Sequence, residues 1–385
     1  MNIKCKTLMM LLLGAALLQP AGSRAQSVTK VAAGDYHSLF LKSDGSLWVM
    51  GHNAAGQLGD ARDGACSDRP EQILTGDITA IAAGAQHSFF LKKDGSLWGM
   101  GNNCEGQLGI GTENFTDHPE EILSSDVVAI SAGDMHSLVL KSDGSLWALG
   151  ANSFGQLGSA GQECTNRPQK IVSGGVTAIA AGFYHSLFLK NDGSLWGMGK
   201  NNYGQLGDGS TQNAKLPKQI VAGGVTAVAA GGYQSVFLKT DGSLWAMGRN
   251  DCGQLGDGRT KCIAKPALIV ASGVTAIAAG GYQTLFLKKD GSLWSMGCNG
   301  SELSSDGTCR FSSRPEQIVA SGVIAVAAGC YHSLFVKSDG SLWTMGENQF
   351  GQLGDQAGNG DVALGKFEPR QIVPQPTNDK ALARY

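Results

Sequence analysis

The pentapeptide DGSLW is written seven times, with its tryptophan at Trp48, Trp98, Trp147, Trp196, Trp245, Trp294 and Trp343, in steps of 49 or 50 residues. These account for all seven tryptophans of the 385-residue chain. A period of this length points to a solenoid or a propeller, because one such unit cannot bury its own apolar surface and must stack on copies of itself.

The fourth unit, GGVTAIAAGFYHSLFLKNDGSLWGMGKNNYGQLGDGSTQNAKLPKQIV, shows what one copy contains. VTAIAAG, HSLFLK, SLWGMG and PKQIV are short runs with β-branched and aromatic content and read as strands. Asp192-Gly193 joins the second and third runs and supplies the positive φ of a tight hairpin turn, and Gly223-Gly224 does the same before the next unit. In Leu187-Phe188-Leu189, apolar side chains point to both faces of the strand, so both faces of the sheet must be covered. Four-stranded antiparallel sheets set radially about an axis cover every face and leave only short edges. The predicted fold is therefore all-β, a seven-bladed β-propeller of four-stranded antiparallel blades. The Ala-Ala-Gly that ends each first strand suits the crowded region near the axis. Each tryptophan, with about 200 Å² to bury, is expected to wedge between blades.

The linked motifs AGxxHS, DGSLW and GxNxxGQLG with a following Pro recur from about Val28 to Val373 and resemble the repeats of the regulator of chromosome condensation family. That resemblance covers nearly the whole chain and also implies a seven-bladed propeller. It further implies, for the family's founding member, nucleotide exchange on a small nuclear GTPase and chromatin binding. A secreted bacterial propeller of the same repeat type, which inhibits β-lactamases, is similar in leader, size and one-faced aromatics. The sixth unit departs from the pattern: Ser301, Glu302 and Ser304 stand where the others have Gly, Gln and Gly, so its loop is expected to be reshaped. The seventh unit has a longer loop, from Gly346 to Pro369.

The chain's start reads as a secretory leader. Lys4 and Lys6 precede an apolar run from Leu8 to Leu18 and a small-residue site ending at Ala25, and about 11 apolar residues are too few for the roughly 20 of a spanning helix. The expected organisation is a signal peptide over 1–25, the propeller over 26–376 and a tail over 377–385, with the protein secreted or periplasmic, soluble and monomeric. Charge is balanced, at 30 Lys+Arg against 32 Asp+Glu, with no basic stripe, which argues against nucleic acid as a partner and against the nuclear exchange activity. With Cys5 in the leader, eight of the nine cysteines enter an oxidising compartment. Cys252 with Cys262 and Cys298 with Cys309 each share a loop and are the expected disulfides; Cys66, Cys104, Cys164 and Cys330 are unassigned. No CxxC-type spacing suggests zinc.

The histidine of AGxxHS recurs as His37, His87, His136, His185 and His332, with Gln234 and Gln283 in the other two units. A ring of metal ligands or catalytic bases is one reading. The interchange of His with Gln, and the spread of blades around an axis, favour structural hydrogen bonds to nearby backbone. Asn53 and Gln57 of GxNxxGQLG read likewise as partners for loop backbone. No catalytic motif is present, so no enzyme activity, metal or cofactor is expected. Antiparallel connectivity places the AGxxHS turn and the GxNxxG loop at one end of every blade and the Asp-Gly turns at the other. Aromatics collect at the first end: Tyr36, Phe183, Tyr184, Tyr233, Tyr282 and Tyr331 in the turn, and Phe154, Tyr203 and Phe350 in the loop. These nine residues resemble a protein-binding rim, and the same positions also suit packing. The expected function is a secreted, non-catalytic scaffold for a protein partner, with glycan binding by stacked aromatics as the alternative.

Overall fold

Each unit's four runs form the four strands of one sheet. In the first blade these are β1 (Val28–Ala33), β2 (His37–Lys42), β3 (Leu47–Gly51) and β4 (Ser67–Leu74), hydrogen-bonded in that order, and six further sheets repeat the arrangement. The computed structural model describes residues 26–62, 64–161, 163–303, 309–356 and 366–372, those at 299–303, 309–310 and 366–367 by their backbone alone. The proposed leader and the tail lie outside the described residues. The protein is a seven-bladed propeller, with no helix among the described residues.

Its core lies between the blades. Leu39 and Leu41 of β2 enter a cluster with Ile78, Phe90 and Met100 of the second blade. Phe40, on the opposite face of the same strand, enters a cluster with Leu334, Val336 and Leu342 of the seventh blade. A strand that feeds two interfaces must be apolar at every position, which is why these runs do not alternate. Seven such clusters fill the seven interfaces.

The recurrence of DGSLW has a local explanation. Asp44 Oδ1 accepts hydrogen bonds from the Ser46 N–H (2.9 Å) and hydroxyl (2.7 Å), and Ser46 Oγ accepts from the Trp48 indole N–H at 2.9 Å. Trp48 is the register partner of Phe40; the two rings lie 6.0 Å apart and nearly parallel, and the Lys42 ammonium sits 3.7 Å from the indole centre on the outside. The motif thus couples the hairpin turn to the orientation of one large ring. Trp98 packs against the first blade's cluster and the other tryptophans repeat the role, though all except Trp48 keep a partly exposed edge under their lysine.

Ring closure differs from what the repeat order suggests. Reading the last run as the element that precedes VTAIAAG pairs Ile372 and Val373 with the strand at Val28 to Val31. Instead Ile372 pairs with Leu342 inside the seventh blade, and Val373 lies outside the described residues. The Gly-Gly step carries the chain from the outer edge of one blade to the inner strand of the next, so neighbours across it are not sheet partners. The first and last blades close face to face: Val28 and Ile372 share one core cluster, the Val28 N–H donates to Gly340 O at 2.9 Å, and the equivalent bond, for instance Val225 N–H to Gly193 O at 3.0 Å, recurs between consecutive blades.

Two further expectations meet the structure at the loops. Cys252 and Cys262 are free thiols rather than a disulfide. Their loop is held by Asn250, whose amide donates to Asp257 Oδ1 at 2.9 Å and to Arg259 O at 3.1 Å, and by Gln254, whose Oε1 accepts from the Cys252 N–H at 3.0 Å. That network leaves Cys252 half-buried and Cys262 facing solvent. Cys298 is disulfide-bonded, while the side chain of Cys309 lies outside those described. In the sixth blade the third and fourth strands lengthen to 11 residues each, Leu293–Leu303 and Cys309–Val319, in place of the loop found elsewhere. The lost loop has a consequence next door. In other blades the serine after the histidine donates to the preceding blade's loop carbonyl, as Ser235 does to Gln205 O at 2.7 Å, whereas the Ser333 hydroxyl has no partner among the described residues.

Candidate functional site: an aromatic arc around the axial mouth

The innermost residues of the blades are glycines: Gly34, Gly84, Gly133, Gly182, Gly231, Gly280 and Gly329. A Cβ on Gly182 would stand 2.4 Å from Gly231 O and 2.3 Å from His185 Cε1, and each of the other six is comparably close to the next glycine's carbonyl oxygen. No side chain fits there, so the backbone of each blade reaches the next. Cys330 N–H closes this inner ring by donating to Gly34 O at 3.3 Å. The ring surrounds an axial cavity of about 170 Å³, walled by the Ala-Gly pairs and opening among Asp35, Phe183 and Cys330.

The histidines form a second, buried ring. Nε2 of His37, His136, His185 and His332 lies 2.8 or 2.9 Å from the hydroxyl of Ser88, Ser186, Ser235 and Ser38 on the following blade, and His87 lies 3.2 Å from Ser137. Each of these serines donates to a loop carbonyl, as Ser88 does to Gln57 O at 2.8 Å, so the imidazole Nε2–H donates to the serine. Gln234 and Gln283 donate instead to backbone, at 2.9 Å to Gly280 O and 3.0 Å to His332 O. The structural reading of this position therefore holds, with a serine hydroxyl rather than backbone as the histidine's partner. Burial holds the imidazoles neutral, pushing His37, His87 and His185 down to about 3 and His136 and His332 to about 4. Asn53 and Gln57 are fully buried and accept from the Leu58 and Ala55 N–H groups at 2.9 and 3.0 Å.

The turn and the loop do share one end of each blade: the N–H of Lys200 donates to Tyr184 O at 2.8 Å and that of Arg249 to Tyr233 O at 2.9 Å. Five of the seven blades place a tyrosine there, Tyr184, Tyr233, Tyr282, Tyr331 and Tyr36, and the second and third blades place Gln86 and Met135. Ring centres of Tyr184 and Tyr233 are 6.0 Å apart, those of Tyr282 and Tyr331 5.4 Å, and those of Tyr331 and Tyr36 6.2 Å. Phe154, Phe183 and Tyr203 meet the arc edge-on at Tyr184 and Tyr233, and Phe350 meets Tyr36 at 5.1 Å. All nine aromatics singled out in the sequence lie on this face, each half-buried, and their ring contacts form two runs, Phe154 to Tyr233 and Tyr282 to Phe350, along one arc.

Sequence reasoning missed the charged groups among them. Arg249 lies over Tyr203, Tyr233 and Tyr282 at 5.1 to 5.6 Å and bridges the one gap between neighbouring tyrosines; Lys200 lies over Phe154, Tyr184 and Tyr233. Both occupy the x of GxN, which reads His52, Asn102, Ala151, Lys200, Arg249, Cys298 and Glu347 round the ring. This position varies in every copy, and that variation was the available signal. Asp35 and Asp134, at the first x of AGxxHS, were missed in the same way. Burial, with Asp134 nearby, pushes Asp35 up to about 7. Asp134 is raised by burial too, with the Tyr184 hydroxyl acting in the opposite sense. Among the described residues no group of three or more His, Cys, Asp or Glu is placed to hold a metal ion.

Blades of one repeated sequence, closed around glycines and carrying their variation on one face, define a repeat propeller with a surface suited to recognition. The RCC1-like domain matches residues 9–272, and the regulator of chromosome condensation (RCC1) repeat matches 274–302 and 323–352. The chain belongs to the RCC1-like family. It is similar to human WBSCR16, at 25% identity and a TM-score of 0.70 over 80% of this chain and 86% of that one. It is also similar to Prp20p from Saccharomyces cerevisiae, at 21% identity and a TM-score of 0.74 over 92% and 89%. A third similar structure is yeast RCC1 (Prp20) bound to Kap60, at 19% identity and a TM-score of 0.74 over 97% and 92%. A search of the curated proteins found no match.

Proposed function

We propose that the protein is an exported, non-catalytic scaffold that binds a protein partner through the aromatic face. The observation that carries this reading is the arc of Tyr184, Tyr233, Tyr282, Tyr331 and Tyr36, joined between Tyr233 and Tyr282 by Arg249 and covered by Lys200 at Tyr184 and Tyr233. Half-buried, mutually packed tyrosines offer large contact area with little rotamer entropy left to lose, and Tyr and Arg are the residues that dominate binding hot spots. Prp20p, of the same fold, is described with its binding properties to Gsp1p and histones, which supports protein recognition by such propellers in general. The balanced charge and the leader read in the sequence favour a partner outside the cell. The pairing of Cys298 with Cys309 belongs to the same reading, since export supplies the oxidant. Peptide mapping of exported protein should recover these two residues in one disulfide-linked fragment and Cys252 and Cys262 as thiols.

The test of the face uses a partner identified by cross-linked capture from the culture supernatant. Tyr233→Ala and Tyr282→Ala should each weaken its binding roughly 10- to 100-fold, the 1–3 kcal/mol typical of central aromatic anchors. Lys289→Ala, exposed in an Asp-Gly turn at the opposite end, should change affinity less than about twofold. Lys239 is unsuitable as that control, because its ammonium covers the Trp245 ring at 4.4 Å. Unchanged affinity per folded molecule in both tyrosine variants would make the arc a packing layer. Saturable binding on a glycan array that both variants abolish would instead favour the carbohydrate reading.

A further inference from the structure

The axial mouth sits at the centre of the aromatic face, and its chemistry differs from that of the rim. Three features meet there. The cavity of about 170 Å³ is walled by alanine methyls and glycine backbone; a cavity of about 150 Å³ takes a benzene-sized ligand in another protein. Asp35 lines it, half-buried at the opening, and its carboxylate has no hydrogen-bond or ion-pair partner among the described residues. Asp134, two blades on, adds a second carboxylate near enough to act on the first, with only the small Ala85 of the intervening blade between them in the ring. A poorly hydrated carboxylate is favoured by a nearby cation, and Asp35, half-buried and unpaired at the edge of a cavity, is placed to take one. The two rim cations are engaged elsewhere, Lys200 over its aromatic rings and Arg249 against Asp251 at 2.5 Å.

We propose that the axial mouth receives one basic side chain, lysine or arginine, from the protein partner, its charged head between Asp35 and Asp134 and its methylene stem against the Ala-Gly wall. The proposal rests on the protein-binding reading for the source of the side chain. The tyrosine arc borders the mouth from the fourth blade round to the first, with Tyr36 and Tyr184 at its two ends beside the acidic pair, and presents aromatic surface to a seated charge. The charge of Asp35 tunes this site with pH. The titratable groups facing it are Asp134, Tyr36, Tyr184 and Cys330, with Glu347 behind them. With Asp35 raised to about 7, its carboxylate is mostly ionised at pH 8 and mostly protonated at pH 6. Capture of a cation should therefore weaken up to roughly tenfold between these values.

The experiment titrates the full chain with N-acetyl-lysine methylamide and, as the neutral analogue, N-acetyl-norleucine methylamide, by calorimetry or ligand-detected NMR. The lysine derivative should bind at least tenfold more tightly than the norleucine one, more tightly at pH 8 than at pH 6, and about tenfold more weakly to Asp35→Asn. Asp134→Asn should weaken it less. Both variants keep side-chain shape and remove a poorly solvated charge, and the comparison of the two derivatives on unaltered protein needs no variant. Equal binding of the two derivatives, or unchanged binding by Asp35→Asn, overturns the proposal. Tighter binding of free putrescine than of the lysine derivative also overturns it, by assigning the mouth to small polyamines. Failure here leaves the Tyr233→Ala result standing, and failure of Tyr233→Ala to weaken the partner leaves the lysine selectivity standing, so the two readings fall separately.

Discussion

Lowering the pH from 7 to 5 is expected to remove a large part of this protein's folding stability. The cause is the ring of five histidines, all fully buried and held neutral in the folded state down to about pH 3 or 4. In the unfolded chain the same imidazoles take up protons near pH 6.5. Below that value the unfolded state binds more protons than the folded one, so stability falls as pH falls, and it is fully recovered above about pH 7. Each histidine costs about 2 kcal/mol by pH 5, or about 10 kcal/mol for the ring. Asp35 works the other way: its raised folded pKa penalises the folded state above about pH 4, and protonating it returns about 2 kcal/mol over the same interval. Asp134 and Glu347, whose carboxyls burial also raises, offset the loss in the same direction as Asp35, and the histidine ring leaves a net loss that is a large part of the stability of a typical domain. Thermal midpoints measured from pH 8 to pH 4.5 should drop steeply below pH 6. His87→Gln should fold, because Gln234 and Gln283 hold the same place in two blades, and should lower the pH slope by about one proton. A midpoint that stays flat between pH 7 and pH 5 would show that the imidazoles are not held neutral.

A single methyl group at the axis should act nearly as strongly. In Gly182→Ala the new Cβ would lie 2.3 Å from His185 Cε1 and 2.4 Å from Gly231 O. Neither neighbour is a flexible side-chain end: one is backbone and the other a ring fixed by its hydrogen bond to Ser235. The clash must be relieved by moving two blades apart, at a cost of about 3 kcal/mol or more. Gly174→Ala, on the connection at the opposite end, meets nothing closer than 3.5 Å and should be neutral or slightly stabilising, since it restricts only the unfolded chain. Denaturant unfolding of the pair measures the contrast, and equal midpoints would refute the close inner ring. The same substitution thus has opposite consequences at two glycines of one repeat, decided by the distance to a neighbouring blade.

The parts of this protein legible in its sequence are those set by interactions within a few residues. Asp-Gly fixes a turn, Asp44 and Ser46 orient Trp48 two residues on, Asn53 satisfies the N–H of Leu58 five residues on, and a period of 49 multiplies that unit by seven. These give the strands, the blades, the small residues at the axis, the shared end of the two variable loops and the nine aromatics upon it. Tertiary structure decided what depends on residues brought together from different blades. Ile372 pairs within its own blade because the connection between units crosses from one sheet to the next. Cys252 and Cys262, close in the chain, are free thiols in a loop held by side-chain amides. Arg249 completes the aromatic arc, and Asp35 and Asp134, two repeats apart, come within electrostatic reach of each other, only when the ring closes and turns the same position in successive copies into neighbours around an axis. Repetition in the chain specifies the blade, because its forces are local; the character of the face is a sum over blades, and that sum exists only in the closed ring.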